Sequence, residues 1–270
     1  MRKNLRSALP VFVALGIGLT IGMVWSIRAG RAPQNSGLPG VPDYVFARDL
    51  AERYGPERNS EEREEWIIRD FFKDARGGVF VDVGANDYRH RNNTYFLEQV
   101  LGWSGIAIDA LPEFAEGYAS NRPKTKFFAL FVSDVPDLDA TIYVPPTEYK
   151  RMASRDRAFA ESGGEPSESR MVRTTTLDRL LEQEGISRID FLNMDIELAE
   201  PQALAGFSID LYKPRLVCIE AHAGVRQQIL EYFMRHQYVL VGKYLGVDND
   251  NYWFAPSGAV QDEPGQPHRH

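Results

Sequence analysis

Phe80-Val81-Asp82-Val83-Gly84-Ala85-Asn86 reads as a buried strand that ends in an acid and breaks into a glycine turn. The apolar run Gly78–Val83, bounded by glycine, has the pattern of a central parallel strand. An acid and Gly-Ala at a strand end let a ligand approach the backbone. Gly84 removes a Cβ that would block it, and the Asp82 carboxylate can accept a hydrogen bond from an ammonium group. The continuation Gly84-Ala85-Asn86-Asp87-Tyr88-Arg89 is not a G-x-G-x-x-G pattern, because Asn86 and Arg89 stand where the later glycines belong. A pyrophosphate needs those glycines, so a nicotinamide or flavin dinucleotide is disfavoured.

Outward from this stretch, helical and strand patterns alternate. A helix over Asn93–Leu101 is followed by a strand over Gly105–Asp109, a helix over Pro112–Ser120 and a strand over Lys126–Val132. Ala140–Val144 reads as an added edge strand, and Pro145–Arg170 as a long mobile loop. Thr176 caps a helix that Gly185 closes. Strands over Arg188–Met194 and Arg215–Glu220 follow, each with a helix behind it (Glu200–Ala205 and Val225–Arg235). Tyr238–Val241 and Tyr252–Ala255 close the sheet as a hairpin-like pair. The expected fold is α/β and Rossmann-like, a mostly parallel sheet with helices on both faces. Before it, Tyr44–Tyr54 reads as a short helix, and Ser60 as the cap of a helix running to about Lys73.

Three strand ends carry further chemistry. Asp109 closes its strand 27 residues after Asp82, one βαβ unit away, where an acid can accept from both hydroxyls of a ribose. Asp195 and Glu197 close one later strand, and Glu220 and His222 the next. Residues two apart on a strand point the same way, so both pairs reach the carboxyl edge, where open α/β sheets bind ligands. His222 can act there as a general base with Asp195 and Glu220 orienting it or the substrate. The alternative is that Asp195, Glu220 and His222 hold a divalent metal, since hard oxygens and an imidazole suit one. Of the two, the base is the expectation, with no metal.

The chain has 31 basic and 38 acidic residues in 270, a net charge of −7. Beyond residue 30 the balance is 27 to 38, which argues against a nucleic-acid backbone as partner. The single cysteine, Cys218, lies in an apolar run and reads as a buried strand residue. Ala8–Ile27 (ALPVFVALGIGLTIGMVWSI) has no charged residue and is long enough to span a bilayer as a helix, with Trp25 near one end. Arg28 and Arg31 follow it closely, which favours a retained single-pass anchor over a cleaved signal peptide. The organisation is then an anchor at 1–30, a linker at 31–58, a catalytic domain at 59–258 and a disordered tail at 259–270.

Taken together, Phe80–Phe114, Thr175-Thr176-Leu177-Asp178-Arg179-Leu180-Leu181 and Ile189-Asp190-Phe191-Leu192-Asn193-Met194-Asp195-Ile196-Glu197 resemble the FkbM family of methyltransferases. The resemblance covers Gly78–Phe254 and implies S-adenosylmethionine as methyl donor and, usually, O-methylation. It implies that Asp82, Gly84, Ala85 and Asn86 form the donor loop, that Asp109 is the ribose acid, and that Ser133-Asp134 lie beside the adenine. The acceptor expected is a small molecule or glycan: a hydroxyl on a glycan, lipid-linked or secondary-metabolite substrate. One position departs from the family. The glycine usual after Asp-x-Glu is replaced by Leu198, and leucine does not adopt positive φ cheaply. The second reading is therefore a membrane-tethered interaction protein that keeps the fold with impaired turnover. The positive charges before the apolar run favour a cytoplasmic N-terminus, whereas a donor made in the cytosol favours a cytoplasmic domain; the expectation follows the donor.

Overall fold

The computed structural model describes residues 43–259. The expected anchor and tail lie outside these residues; among those described, no helix is long and apolar enough to cross a membrane. The central sheet contains β1 (Val79–Val83), β2 (Ser104–Asp109), β3 (Thr125–Ala129), β7 (Phe191–Met194), β8 (Leu216–Glu220), β9 (Tyr238–Leu240) and β10 (Asn251–Pro256). Their spatial order is β3-β2-β1-β7-β8-β10-β9. The first five run parallel, and β10 is antiparallel to both β8 and β9. The closing pair forms as expected, with β10 between β8 and the edge strand β9. The sheet order reverses at β1, which has β2 on one side and β7 on the other. A crevice at the carboxyl ends of the strands belongs at that switch point.

Both faces of the sheet are covered, which is why its inner strands read as continuous apolar runs. Val81, Val83, Val217 and Ile219 point into one core, and Phe80, Phe191, Leu216 and Cys218 into the other. Each such side chain contributes about 1.5–3 kcal/mol by leaving water. The helices are α1 (Asp43–Tyr54), α2 (Glu64–Phe72), α3 (Tyr95–Gln99), α4 (Ala115–Asn121), α5 (Arg157–Ala160), α6 (Leu177–Gln183), α7 (Glu200–Ala205), α8 (Ile209–Tyr212) and α9 (Arg226–Arg235). Thr176 caps α6 as expected, its side chain accepting from Arg179 N. Helix α1 falls inside the stretch read as linker, yet Ala47 and Leu50 are buried in the second core with Trp66 and Ile67 of α2. Helix α2 starts later than Ser60 suggests; Ser60 Oγ accepts instead from Glu65 N, inside the first turn.

Three strands leave the main sheet. The strand expected over Lys126–Val132 breaks at Leu130, and Phe131–Val132 continues as β4 at the edge of a second, three-stranded sheet. β5 (Asp139–Val144) is the added strand, but its partner is β6 (Glu168–Thr175), in antiparallel register from Asp139↔Arg173 to Val144↔Glu168. The stretch expected as a long loop is therefore structured: a 3₁₀ turn at Thr147–Met152, then α5, then the start of β6. Backbone bonds between Tyr143 and Ser154 tie it down.

Gly84 fixes how the sheet opens. Its φ is +82°, and an added Cβ would fall 1.7 Å from the carbonyl oxygen of Asp195. The glycine is thus required by close packing of the loops that leave β1 and β7. Overpacking costs about 1–3 kcal/mol, and a side chain at positive φ about 1–2 kcal/mol more. Gly84→Ala is expected to lower the melting temperature by about 5–15 °C. An unchanged melting curve would remove this contact from the account of the fold.

Candidate active site

A pocket opens at the carboxyl ends of β1, β2, β7 and β8. Its first half is built on Asp109. Asp109 Oδ1 accepts from Leu111 N at 2.8 Å and Oδ2 from Asn86 N at 3.0 Å. Asn86 reaches this position through a positive φ of 50°, which asparagine tolerates. The carboxylate is thereby aimed with lone pairs left over for a ligand. Burial pushes the Asp109 carboxyl up to about 6, against the two amides that favour its charged form. Around it, Ile108, Leu111, Phe114 and Phe131 make an apolar slot.

The other residues expected to hold a donor divide. Gly84, Asn86 and Asp109 line the pocket; Asp82, Ala85, Ser133 and Asp134 do not. Asp82 is 1% exposed. Its two oxygens accept from Asn193 Nδ2 and Thr94 Oγ1, both at 2.9 Å, so it ties β1 to β7 and to the loop before α3. The ammonium-binding role read for Asp82 is therefore corrected to a supporting one. Ala85 is buried behind the loop, with its carbonyl accepting from Asn92 Nδ2 and Tyr118 OH at 3.1 Å. Ser133 N donates to Thr175 O, Ser133 Oγ donates to Asp134 Oδ1, and Asp134 is exposed. The wall from this segment is instead Leu130-Phe131-Val132, one step earlier in the chain. Beneath the loop after β1 lies a group that spacing alone does not reveal. Arg122, with its side chain wholly buried, pairs with Glu98 at 2.6 Å and donates to Tyr88 O, Asn92 Oδ1 and Thr94 O.

The second half of the pocket is acidic. Asp195, Glu197 and Glu220 line it, whereas His222 stands behind them. His222 Nε2 lies 2.9 Å from Glu220 Oε1 and 3.3 Å from Glu197 Oε2, and Phe159 of α5 packs against the imidazole at 4.9 Å. Contact with Glu197 and Glu220 raises the imidazole to about 10. At neutral pH it is a cation with no lone pair to offer, so the structure does not support the base role read for His222. Burial pushes Glu220 up to about 7, with the His222 contact working against the shift. Asp195 is open to the pocket but ringed by protein, and burial and the neighbouring Glu220 hold its carboxyl well above the usual range. Glu220 stands beside Asp195, and its charge disfavours a second one there.

The turn that carries these acids is held under tension. Glu197 has φ +55° and Leu198 φ +79°. Leu198 thus sits where glycine would be free of strain, at a cost of about 1–2 kcal/mol. It offsets part of this by packing on the first core. Glu200 Oε1 accepts from Ile196 N at 3.0 Å, and Ser154 Oγ donates to Glu197 O at 2.6 Å. The turn is therefore fixed from both sides.

Comparison with known proteins places this geometry. The family model for the methyltransferase FkbM domain matches residues 82–240. No curated protein matches the sequence. Among solved structures, a TehB-like SAM-dependent methyltransferase from Corynebacterium glutamicum ATCC 13032 Kitasato is similar over 79% of this chain and 96% of its own, at 12% identity and a TM-score of 0.40. An O-methyltransferase from Bacillus cereus in complex with SAH is similar over 87% and 96%, at 12% identity and a TM-score of 0.40. The 1,6-didemethyltoxoflavin-N1-methyltransferase of Burkholderia thailandensis, with 1,6-didemethyltoxoflavin and S-adenosylhomocysteine bound, is similar over 83% and 92%, at 15% identity and a TM-score of 0.36. The matched domain begins at Asp82, takes in both halves of the pocket and ends with β9, so the chain belongs to the FkbM methyltransferase family.

Proposed function

We propose that this protein is an S-adenosylmethionine-dependent O-methyltransferase acting on a hydroxyl of a glycan, lipid-linked or secondary-metabolite acceptor. The observation that carries the proposal is the pairing of the Asp109 slot with the Asp195–Glu220 carboxyls in one pocket. The slot fits a ligand with an aromatic base and a ribose diol: flat apolar walls beside an acid aimed by two amides. The acidic half suits a ligand with a positive centre. When bound, S-adenosylmethionine supplies an electrophilic methyl group on a sulfonium sulfur. Asp109 accepts the diol hydroxyls. Asp195, the cluster acid most open to the pocket, takes the proton of the acceptor hydroxyl, and Glu220 beside it keeps its affinity for that proton high. A carboxylate whose proton affinity is raised is a stronger base than an ordinary one. His222 holds Glu197 and Glu220 in place.

The protein is proposed to be tethered by Ala8–Ile27 with its domain at the cytoplasmic face. The support is the uncharged run itself and the cytosolic origin of the donor. The reading of an interaction protein with impaired turnover is favoured by one observation, the strained Leu198. Labelled methyl transfer from donor to glycan and lipid extracts separates the two. Donor that binds without any transfer supports the impaired protein and removes the enzyme.

Four outcomes are expected. Asp109→Asn weakens donor binding by about 1.5–3 kcal/mol, the worth of hydrogen bonds to a charged group, as read by calorimetry. Because the carboxylate is the binding form and its proton leaves near pH 6, wild-type donor affinity rises between pH 5 and 7, whereas that of Asp109→Asn stays flat. A flat wild-type profile would take the ribose away from Asp109. Asp195→Asn lowers turnover by about 10²–10⁴ with donor affinity nearly unchanged; full activity in this variant ends its role as base. Removal of residues 1–42 moves the protein from the membrane fraction to the soluble one and preserves its melting transition. A truncated protein that still sediments with membranes is evidence against the tether.

A further inference from the structure

S-adenosylmethionine carries an ammonium and a carboxylate at its amino-acid end, beside the nucleoside that the Asp109 slot fits. Nothing described so far takes the ammonium, because both oxygens of Asp82 are occupied by Asn193 and Thr94. Most other acids of the pocket are also engaged. Glu197 and Glu220 flank His222, and Glu61 meets Arg91 at 3.3 Å and Arg151 at 3.9 Å. Glu62 and Asp250 are exposed to water. Glu64 differs from all of these: it lines the pocket, is 5% exposed and has no cation beside it among the described residues.

The fold explains its place. Helix α2 ends at Phe72 and a short connection leads into β1 at Val79, so the helix runs back along the sheet and its first residue, Glu64, reaches the carboxyl edge. The chain just before α2 is stitched to the loop after β1, where Asn92 N donates to Asn59 O at 3.0 Å. Glu64 Oε2 accepts from Glu62 N at 2.8 Å, a neutral donor that steadies the side chain without answering its charge. Burial and the neighbouring Asp248 push the Glu64 carboxyl up to about 7, and Glu64 in turn bears on Asp195. A buried carboxylate among other acids needs a proton or a cation beside it. We propose that Glu64 binds the ammonium group of the donor's amino-acid end, the role that strand-end position suggests for Asp82. This rests on S-adenosylmethionine as donor and divides its recognition between two segments. Asp109 of β2 takes the nucleoside, and Glu64, which lies ahead of the matched family domain, takes the amino-acid end.

The test is calorimetry of the full chain in detergent with two ligands. S-adenosylhomocysteine keeps the ammonium; methylthioadenosine keeps the nucleoside and sulfur but lacks the amino-acid end. Glu64→Gln should weaken S-adenosylhomocysteine about tenfold or more, the scale of a hydrogen bond to a charged group, and leave methylthioadenosine within about twofold. Retained methylthioadenosine binding also shows that the variant folds. Glu64→Asp, which keeps the charge and shortens the arm, should fall between Glu64→Gln and wild type. Asp109→Asn should weaken both ligands alike. A Glu64→Gln protein that keeps wild-type affinity for S-adenosylhomocysteine, or loses both ligands in equal proportion, overturns the assignment and leaves Glu64 a protonated structural group. Wild type that binds both ligands in that case keeps the donor reading intact, whereas wild type that binds neither removes the donor reading and Glu64 with it.

Discussion

Two loop backbones touch where β1 and β7 end, and the pocket exists because of that contact. Gly84 meets the Asp195 carbonyl with no room for a Cβ between them. The contact sets the loop after β1 against the loop after β7, so the Asp109 side and the acidic side converge on one space. It also explains why both loops use left-handed backbone, at Asn86 on one side and at Glu197 and Leu198 on the other. Strain of this kind persists only where surrounding structure over-determines it. Here the surroundings are Asp109, which holds Asn86, and Glu200 and Ser154, which hold the acid turn.

Charge is the second constraint. Asp195, Glu197 and Glu220 crowd one end of the pocket, and burial opposes their ionisation together. His222 answers with one positive charge, set between Glu197 and Glu220. The opposite side of the loop after β1 solves a similar problem differently: buried Glu98 has a permanent cation, Arg122, whose guanidinium also satisfies the loop carbonyls of Tyr88 and Thr94. One end of the site is thus closed electrostatically, and the other stays responsive to what enters.

The parts of this arrangement that were legible in the sequence are those set by local pattern. β1, β2, β7 and β8 are sandwiched between two cores, which forces unbroken apolar runs with sharp ends. β6 was not legible because most of Glu168–Thr175 is exposed or half-exposed and carries no such run. The break at Leu130 depends on which strand Phe131 can pair with, Thr174 of β6, a partner far along the chain. In the site, Gly84, Asn86 and Asp109 follow from strand-end position. Asp82 misleads for a physical reason: its fate is decided by Thr94 and Asn193, 12 and 111 residues away. His222 was readable as a site residue, but its charge was not, because that depends on Glu197 approaching from another strand.

The wall bearing Lys150, Arg151 and Ala153 hangs from the small sheet of β4, β5 and β6 rather than from the seven-stranded one. It meets the rest of the pocket through an apolar cluster in which Ala153 packs with Leu111, Phe131 and Ile142, through the Lys150–Glu113 ion pair and through the Ser154 hydroxyl on Glu197. This divides the labour of inheritance. Substitutions or insertions between β5 and β6 leave both hydrophobic cores intact, while any change at Gly84 disturbs the main scaffold itself. Segment 145–167 is therefore the part of the wall that can change in length at least cost to the two large cores, so long as Ser154 remains to hold Glu197.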